Sequence, residues 1–211
     1  MLHLSTKNLQ RYDSQFVMDG DASQLTYVYA VASMTQLAQI AHDVQKAGAK
    51  PVAPAVVRQH LREYVETLAD DADKRRLLEL LDAKDKGVVA ALPKGAKRRR
   101  KAQGDEAKAL AKQAEADLEL LAMARRAAEA EWEPYREAAA RAKFYQRIIS
   151  MSAVRMLLRG LEGPAAEKIQ FSAPHGAVDE GTLRRMGFAL IEEAGAEILA
   201  AAQLSGSAAK N

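Results

Sequence analysis

The chain contains no cysteine. A disulfide framework and a thiolate metal site are therefore excluded, and a reducing compartment fits. It also lacks a run of about eighteen consecutive apolar residues, the minimum read as a membrane helix. Aromatic residues are scarce, with one Trp, six Tyr and four Phe in 211 residues. Since aromatics carry the largest buried areas, each helix has little core to offer, and close packing through alanine must compensate. Glycine and proline are sparse, at 12 and 6. The N-terminus, MLHLSTKNLQRYDSQF, has no basic start followed by an apolar run. It does not read as a secretory signal, so the expected location is the cytoplasm or a virus particle.

The residues present are those of helices. About one residue in five is Ala, and Leu, Glu, Lys, Arg and Gln are abundant. All are strong helix formers. The composition predicts a mainly α protein, a long-helix bundle with room for a patch of two or three strands. The net charge of +3 conceals an asymmetry. Lys94 to Lys101 reads KGAKRRRK, and without its six positive charges the balance is 25 basic against 28 acidic residues. The chain is mildly acidic with one basic knot.

Ala22 to Ala41 holds twenty residues without a charge. Charged residues are almost never buried unpaired, so an uncharged stretch of this length reads as an enclosed helix. Asp21 and Gln24 suit its N-cap, close to a capping box, and Gly48 its end, giving a helix over 22–47. Three readings of it stay open: a monomer core, a subunit interface, or a membrane-active segment. The polar Ser23, Thr26, Gln36 and Gln39 count against the last.

Pro54 starts the next helix, with Val57, Leu61, Tyr64, Val65 and Leu68 as its apolar stripe. A break near Asp70–Asp73 precedes a short helix through Arg75–Leu81, and 84–104 reads as a linker. Residues 105–159 contain no Gly and one Pro, Pro134. One straight helix of that length would reach roughly 80 Å, so Pro134 should kink or split it near Trp132. A last helix is expected over Thr182–Leu204, where Gly187, Ala194 and Gly195 allow a close approach. The strand candidates are Leu2–Leu4, Gln15–Met18 and, best of them, Lys168–Ser172. Three regions follow: 1–92, a basic linker over 93–104, and 105–211, read as one structural unit.

No catalytic motif is present. The chain lacks G-x-G-x-x-G and G-x-x-x-x-G-K-[ST], the common phosphate cradles, and the G-x-S-x-G elbow. The four histidines, His3, His42, His60 and His175, show no H-E-x-x-H spacing and no Glu three residues ahead, so no metal or cofactor is expected. The carboxylates Glu129, Glu131 and Glu133, and Glu192, Glu193 and Glu197, read as solvated helix faces. The sharpest local signal is the basic knot. Lys94, Lys97, Arg98, Arg99, Arg100 and Lys101 suit contact with a nucleic-acid phosphate backbone or an acidic partner. No aromatic interleaves them, which argues against base stacking.

The expectation is a structural protein, not an enzyme. It would be one copy in a multimer of itself and other assembly proteins, such as the connector, neck or internal protein of a phage or virus particle. Leu25, Val28, Tyr29, Leu37, Ile40, Trp132, Tyr135, Leu190 and Ile191 would form its oligomer interface or its core. A stand-alone helical nucleic-acid binder using the basic run is the alternative.

Overall fold

A computed structural model describes residues 9–15, 25–85 and 104–208. They are mainly helical with one small sheet, as the composition requires. The elements in order are β1 (Leu9–Asp13), β2 (Thr26–Ala30), α1 (Met34–Lys46), α2 (Pro54–Glu66), α3 (Asp71–Asp85), α4 (Gly104–Glu131), α5 (Glu133–Leu157), β3 (Leu158–Glu162), α6 (Ala166–Ile169) and α7 (Glu180–Ala208). The chain divides into two compact units, Met1–Pro51 with Lys143–Asn211, and Val52–Ala142. Residues 93–103 of the basic linker that was to separate an N-terminal region from a C-terminal arm lie outside the described residues, and Gly104 begins α4. Each unit has its own core.

The uncharged stretch is not one helix. Thr26–Ala30 within it is β2 and Met34 to Ala41 belong to α1, while residues 22–24 lie outside the described residues. Tyr27, Val28 and Tyr29 are aromatic or β-branched and fit a pleated surface. Ser33 then caps α1 in a full capping box. Its side chain accepts from the Gln36 N–H, and the Gln36 side chain accepts from the Ser33 N–H. That box starts the helix twelve residues later than expected. The cap placed at Asp21 and Gln24 falls outside the described residues.

The sheet is antiparallel with β2 at its centre, in the order β1-β2-β3. Strand β1 pairs Tyr12 with Tyr27 and Gln10 with Tyr29. Two strand expectations fail here. Lys168–Ser172 is no strand: it forms the end of α6 and an irregular segment, with Gln170 in the left-handed region at φ 51°. The third strand is Leu158–Glu162, read from sequence as the end of the long helical stretch through Arg159 and, from Gly160, as loop. It follows α5 without a break, and Leu161 and Gly160 sit opposite Tyr27 and Val28. Strand pairing overrides helix propensity there. Of the two N-terminal candidates, Leu2–Leu4 and residues 16–18 lie outside the described residues, and Gln15 is in no strand.

The first unit packs the sheet, α1, the end of α5 and α7 around Leu25, Tyr27, Tyr29, Ile40, Leu157 and Ile198, with neighbours. Strand β3 leaves the last α5 carbonyls without helical partners. The Arg155 carbonyl accepts from the Val178 N–H. Arg159 Nη1 donates to the carbonyls of Met156, Leu158 and Gly176. Arg185 likewise caps α6, donating to the carbonyls of Ile169 and Gln170. Helix α7 opens on Asp179, whose carboxylate accepts the Thr182 N–H at 2.6 Å. It breaks once, at Gly187, where φ 70° and ψ 167° suit only glycine.

The second unit is a small bundle of α2, α3, α4 and the start of α5. Its core contains Leu61, Tyr64, Val65, Leu77, Leu121 and Tyr135. Arg76 clamps α3 to α4 with two bonds to Asp117, at 3.0 and 2.5 Å. That guanidinium holds the Asp117 carboxyl below its ordinary pKa. Pro134 splits the long stretch into α4 and α5, with Trp132 as the only residue between them. Proline supplies no N–H for the Ala130 carbonyl, which instead accepts a long bond from Arg136 Nη1 at 3.4 Å.

Helices α5 and α7 of the first unit approach closely at Gly195. A Cβ built on Gly195 would lie 2.5 Å from Ser150 Cβ and 2.6 Å from Ser150 Cα. Ala ordinarily favours a helix over Gly by about 1 kcal/mol. Here overpacking, at about 1–3 kcal/mol, should outweigh that gain. Gly195→Ala is therefore expected to lower the free energy of unfolding in urea by about 1 kcal/mol or more, whereas an unobstructed site would gain stability. Asp179 provides a second check. The Thr182 N–H holds its carboxyl below the ordinary carboxylate pKa. Its contribution to stability is present above the unfolded value and lost as pH falls through the folded one. Asp179→Asn should thus lower Tm near neutrality and flatten the acid side of the Tm profile.

Candidate functional site

Tyr27 and Tyr29 stand two residues apart on β2 and so share a face of the sheet. Glu193 and Glu197 stand four apart on α7 and share a face of the helix. Two strand residues span about 6.8 Å and four helical residues about 6 Å, so the pairs fall into step. Tyr27 donates to Glu193 Oε2 at 2.9 Å. Tyr29 donates to Glu197 Oε1 at 3.4 Å and to Gln10 Oε1 at 3.1 Å. The Ser14 hydroxyl and Gln15 N–H add bonds to Glu193 of 2.6 and 2.7 Å. Tyr12 stacks on Tyr27, with centroids 6.2 Å apart and planes 7° from parallel.

The electrostatics of this seam keep the phenols neutral. Burial, with Glu193 adding to it, pushes the Tyr27 hydroxyl well above its ordinary pKa. Burial and then Glu197 push Tyr29 up to about 12. Neither phenol is poised to act as a base or nucleophile at neutral pH. Glu193 accepts three bonds from this chain's own groups, so the seam joins β1 and β2 to α7. The expectation that Glu193 and Glu197 are solvated is corrected: both are half-buried and hydrogen-bonded to tyrosine. Glu192 instead accepts from Arg147 Nε at 3.2 Å, and Glu131 accepts from Tyr64 at 2.9 Å.

A second feature of the first unit is an open cleft of about 860 Å³ between α1, α5 and α7. Ile148, Met151, Leu183 and Ile191 give it an apolar lining, and Lys46 and Arg155 line it as well. Phe188, just after the Gly187 break, forms part of the wall.

The basic residues Lys94, Lys97, Arg98, Arg99, Arg100 and Lys101 lie outside the described residues, as does His3. His60 Nδ1 lies 2.9 Å from Glu63, and His42 and His175 are exposed. Among the described residues no three of His, Cys, Asp or Glu gather as a metal site. No helix there is long and apolar enough to cross a membrane. Leu25, Val28, Tyr29, Ile40, Leu190 and Ile191 are buried within the first unit and Tyr135 within the second, while Leu37 and Trp132 are half-buried. Sequence reasoning missed the seam. The alternation Tyr27-Val28-Tyr29 and the four-residue spacing of Glu193 and Glu197 were its visible traces.

Glu193→Leu would strand the Tyr27 and Ser14 hydroxyls and the Gln15 N–H. It should cost about 2–3 kcal/mol in urea unfolding. The tyrosines carry a pH signature as well. The folded state favours the neutral phenol, so this contribution is full below pH 10 and is lost as pH rises through about 12 for Tyr29. By about pH 11, tyrosinate absorbance of the folded chain should fall short of that of six tyrosines, whereas in concentrated urea all six should ionise near the ordinary value. Full ionisation of the folded chain by that pH would contradict the seam. Comparison of the chain with protein-family models, with curated proteins and with solved structures gives no match.

Proposed function

We propose that the chain is a structural subunit of a multimeric assembly, held to other copies of itself by helix–helix contacts. The observation that carries this reading is a face formed by α5 and α7. Phe144 is 47% exposed and Phe188 59% exposed. Arg147 follows Phe144 by three residues and shares its side of α5. Its guanidinium lies over the Phe188 ring, 4.8 Å from the centroid, and its Nε donates to Glu192. Aromatic residues around an arginine match the composition of interface centres. Carrying both Arg147 and Glu192, the face is complementary to itself, so that across a twofold axis the arginine of one copy meets the glutamate of the next.

This location differs from the interface expected from sequence. Seven of those nine residues are buried in the chain's own units, whereas Phe144 and Phe188 are turned to water. The setting we favour is a virus particle, as a connector, neck or internal protein. The six charges of Lys94–Lys101 would there meet nucleic acid or an acidic neighbour. Long Ala-rich helices and a single basic run support that setting.

Light scattering on the purified chain tests the reading. The expected result is a multimer that persists at high salt, because its aromatic contacts are not screened even where the Arg147 and Glu192 charges are. Phe144→Ser with Arg147→Glu should shift it to monomer while the far-ultraviolet circular dichroism is unchanged. Replacing Arg98, Arg99 and Arg100 with Gln should reduce retention of duplex DNA severalfold at low salt and leave the mass alone. A monomer under all conditions would overturn the assembly reading. If that monomer gained mass only with DNA at low salt, the basic run alone would be the functional element.

A further inference from the structure

The charges lining the α1–α5–α7 cleft are unevenly paired. Of its two acids, Asp43 accepts from the Gln39 amide at 3.0 Å and Glu180 pairs with Arg184 at 3.5 Å. Of its three cations, only Arg184 has an acidic partner among the described residues; Lys46 and Arg155 have none. The cleft thus presents two unpaired cations, Lys46 and Arg155, against one carboxylate without a cation partner, Asp43, beside an apolar lining, and its balance of charge is positive. Its volume of about 860 Å³ lies within the 300–1,000 Å³ typical of small-molecule sites.

We infer that this cleft binds a small amphiphilic anion, an acyl chain ending in a carboxylate. A bare inorganic anion would satisfy Lys46 and Arg155 but leave the accessible parts of Ile148, Met151 and Phe188 in water. A neutral apolar molecule would cover those three and leave the two cations unpaired. An acyl carboxylate does both, with the Ser152 hydroxyl as a further donor beside the head group. Exposed cations lining a cleft also raise the local concentration of anions. The Gly187 break contributes to the shape: α7 interrupts its helix there, and the next residue, Phe188, forms part of the wall. Phe188 is shared with the self-complementary face, but Lys46 and Arg155 are not, so a test that reads those two cations is decided separately from the assembly reading.

Isothermal titration of the full chain with decanoate provides the test. The controls are acetate, which lacks the tail, and a nonionic sugar amide of decanoic acid, which lacks the charge. Decanoate should bind, with affinity falling as salt rises, while acetate gives no heat and the nonionic amide binds at least about tenfold more weakly. Lys46→Glu with Arg155→Glu should weaken decanoate by at least about tenfold at unchanged Tm. If that charge reversal disturbs folding, Lys46→Ala with Arg155→Ala should show the same direction of effect. The inference is overturned if decanoate gives no binding at millimolar concentration, if the nonionic amide binds as tightly, or if both double variants bind decanoate as the parent does.

Discussion

The first unit depends on one steric constraint, the approach of α7 to α5 at Gly195 and Ser150. No side chain fits between them. Only at that distance can Val154 and Leu157 of α5 pack against Leu190, Ile191 and Ile198 of α7 in one dense core. Interiors this closely packed do not absorb an extra methyl without displacement. The scarcity of aromatics is the other side of the same design, because small residues let backbones meet where large side chains are lacking.

The Glu–Tyr seam then fixes how the sheet sits on α7. Packing of apolar faces is non-directional and would tolerate small slips of strand over helix. Hydrogen bonds from Tyr27 and Tyr29 to carboxylates one helical turn apart do not. A shift of one residue in β2 would turn both phenols to the other face. Burial raises the cost of breaking these bonds, and the same burial keeps the phenols un-ionised. The groups most reminiscent of catalysis are therefore occupied in holding the fold together.

The surface reads differently from the interior. The carboxylates of the seam and the Arg76–Asp117 clamp are satisfied within the chain. Phe144, Phe188, Lys46 and Arg155 are not. Exposed aromatics and cations without an acidic partner are the groups the fold leaves open to a second molecule, so function is best sought there. Both proposals rest on such residues. The assembly face uses the exposed rings, and the ligand cleft uses the unpaired charges.

The sequence by itself determined the helical class, the start of α2 at Pro54, the break before Asp71 and the interruption at Pro134. Each follows from composition or from a residue whose backbone chemistry acts locally. It did not determine the fate of Thr26–Ala30 or Leu158–Glu162. Thr26–Ala30 is a short apolar segment that suits helix or strand and Leu158–Glu162 is a mixed one, and pairing between residues more than a hundred positions apart decided them. The same holds for the candidate sites. Glu193 and Glu197 looked like solvated charges because nothing in their own helix shows what packs against it. Lys46 and Arg155 looked unremarkable because a cleft exists only once three helices have met. Local backbone preference is written residue by residue, whereas burial, charge pairing and cavities belong to contacts that only the folded chain creates.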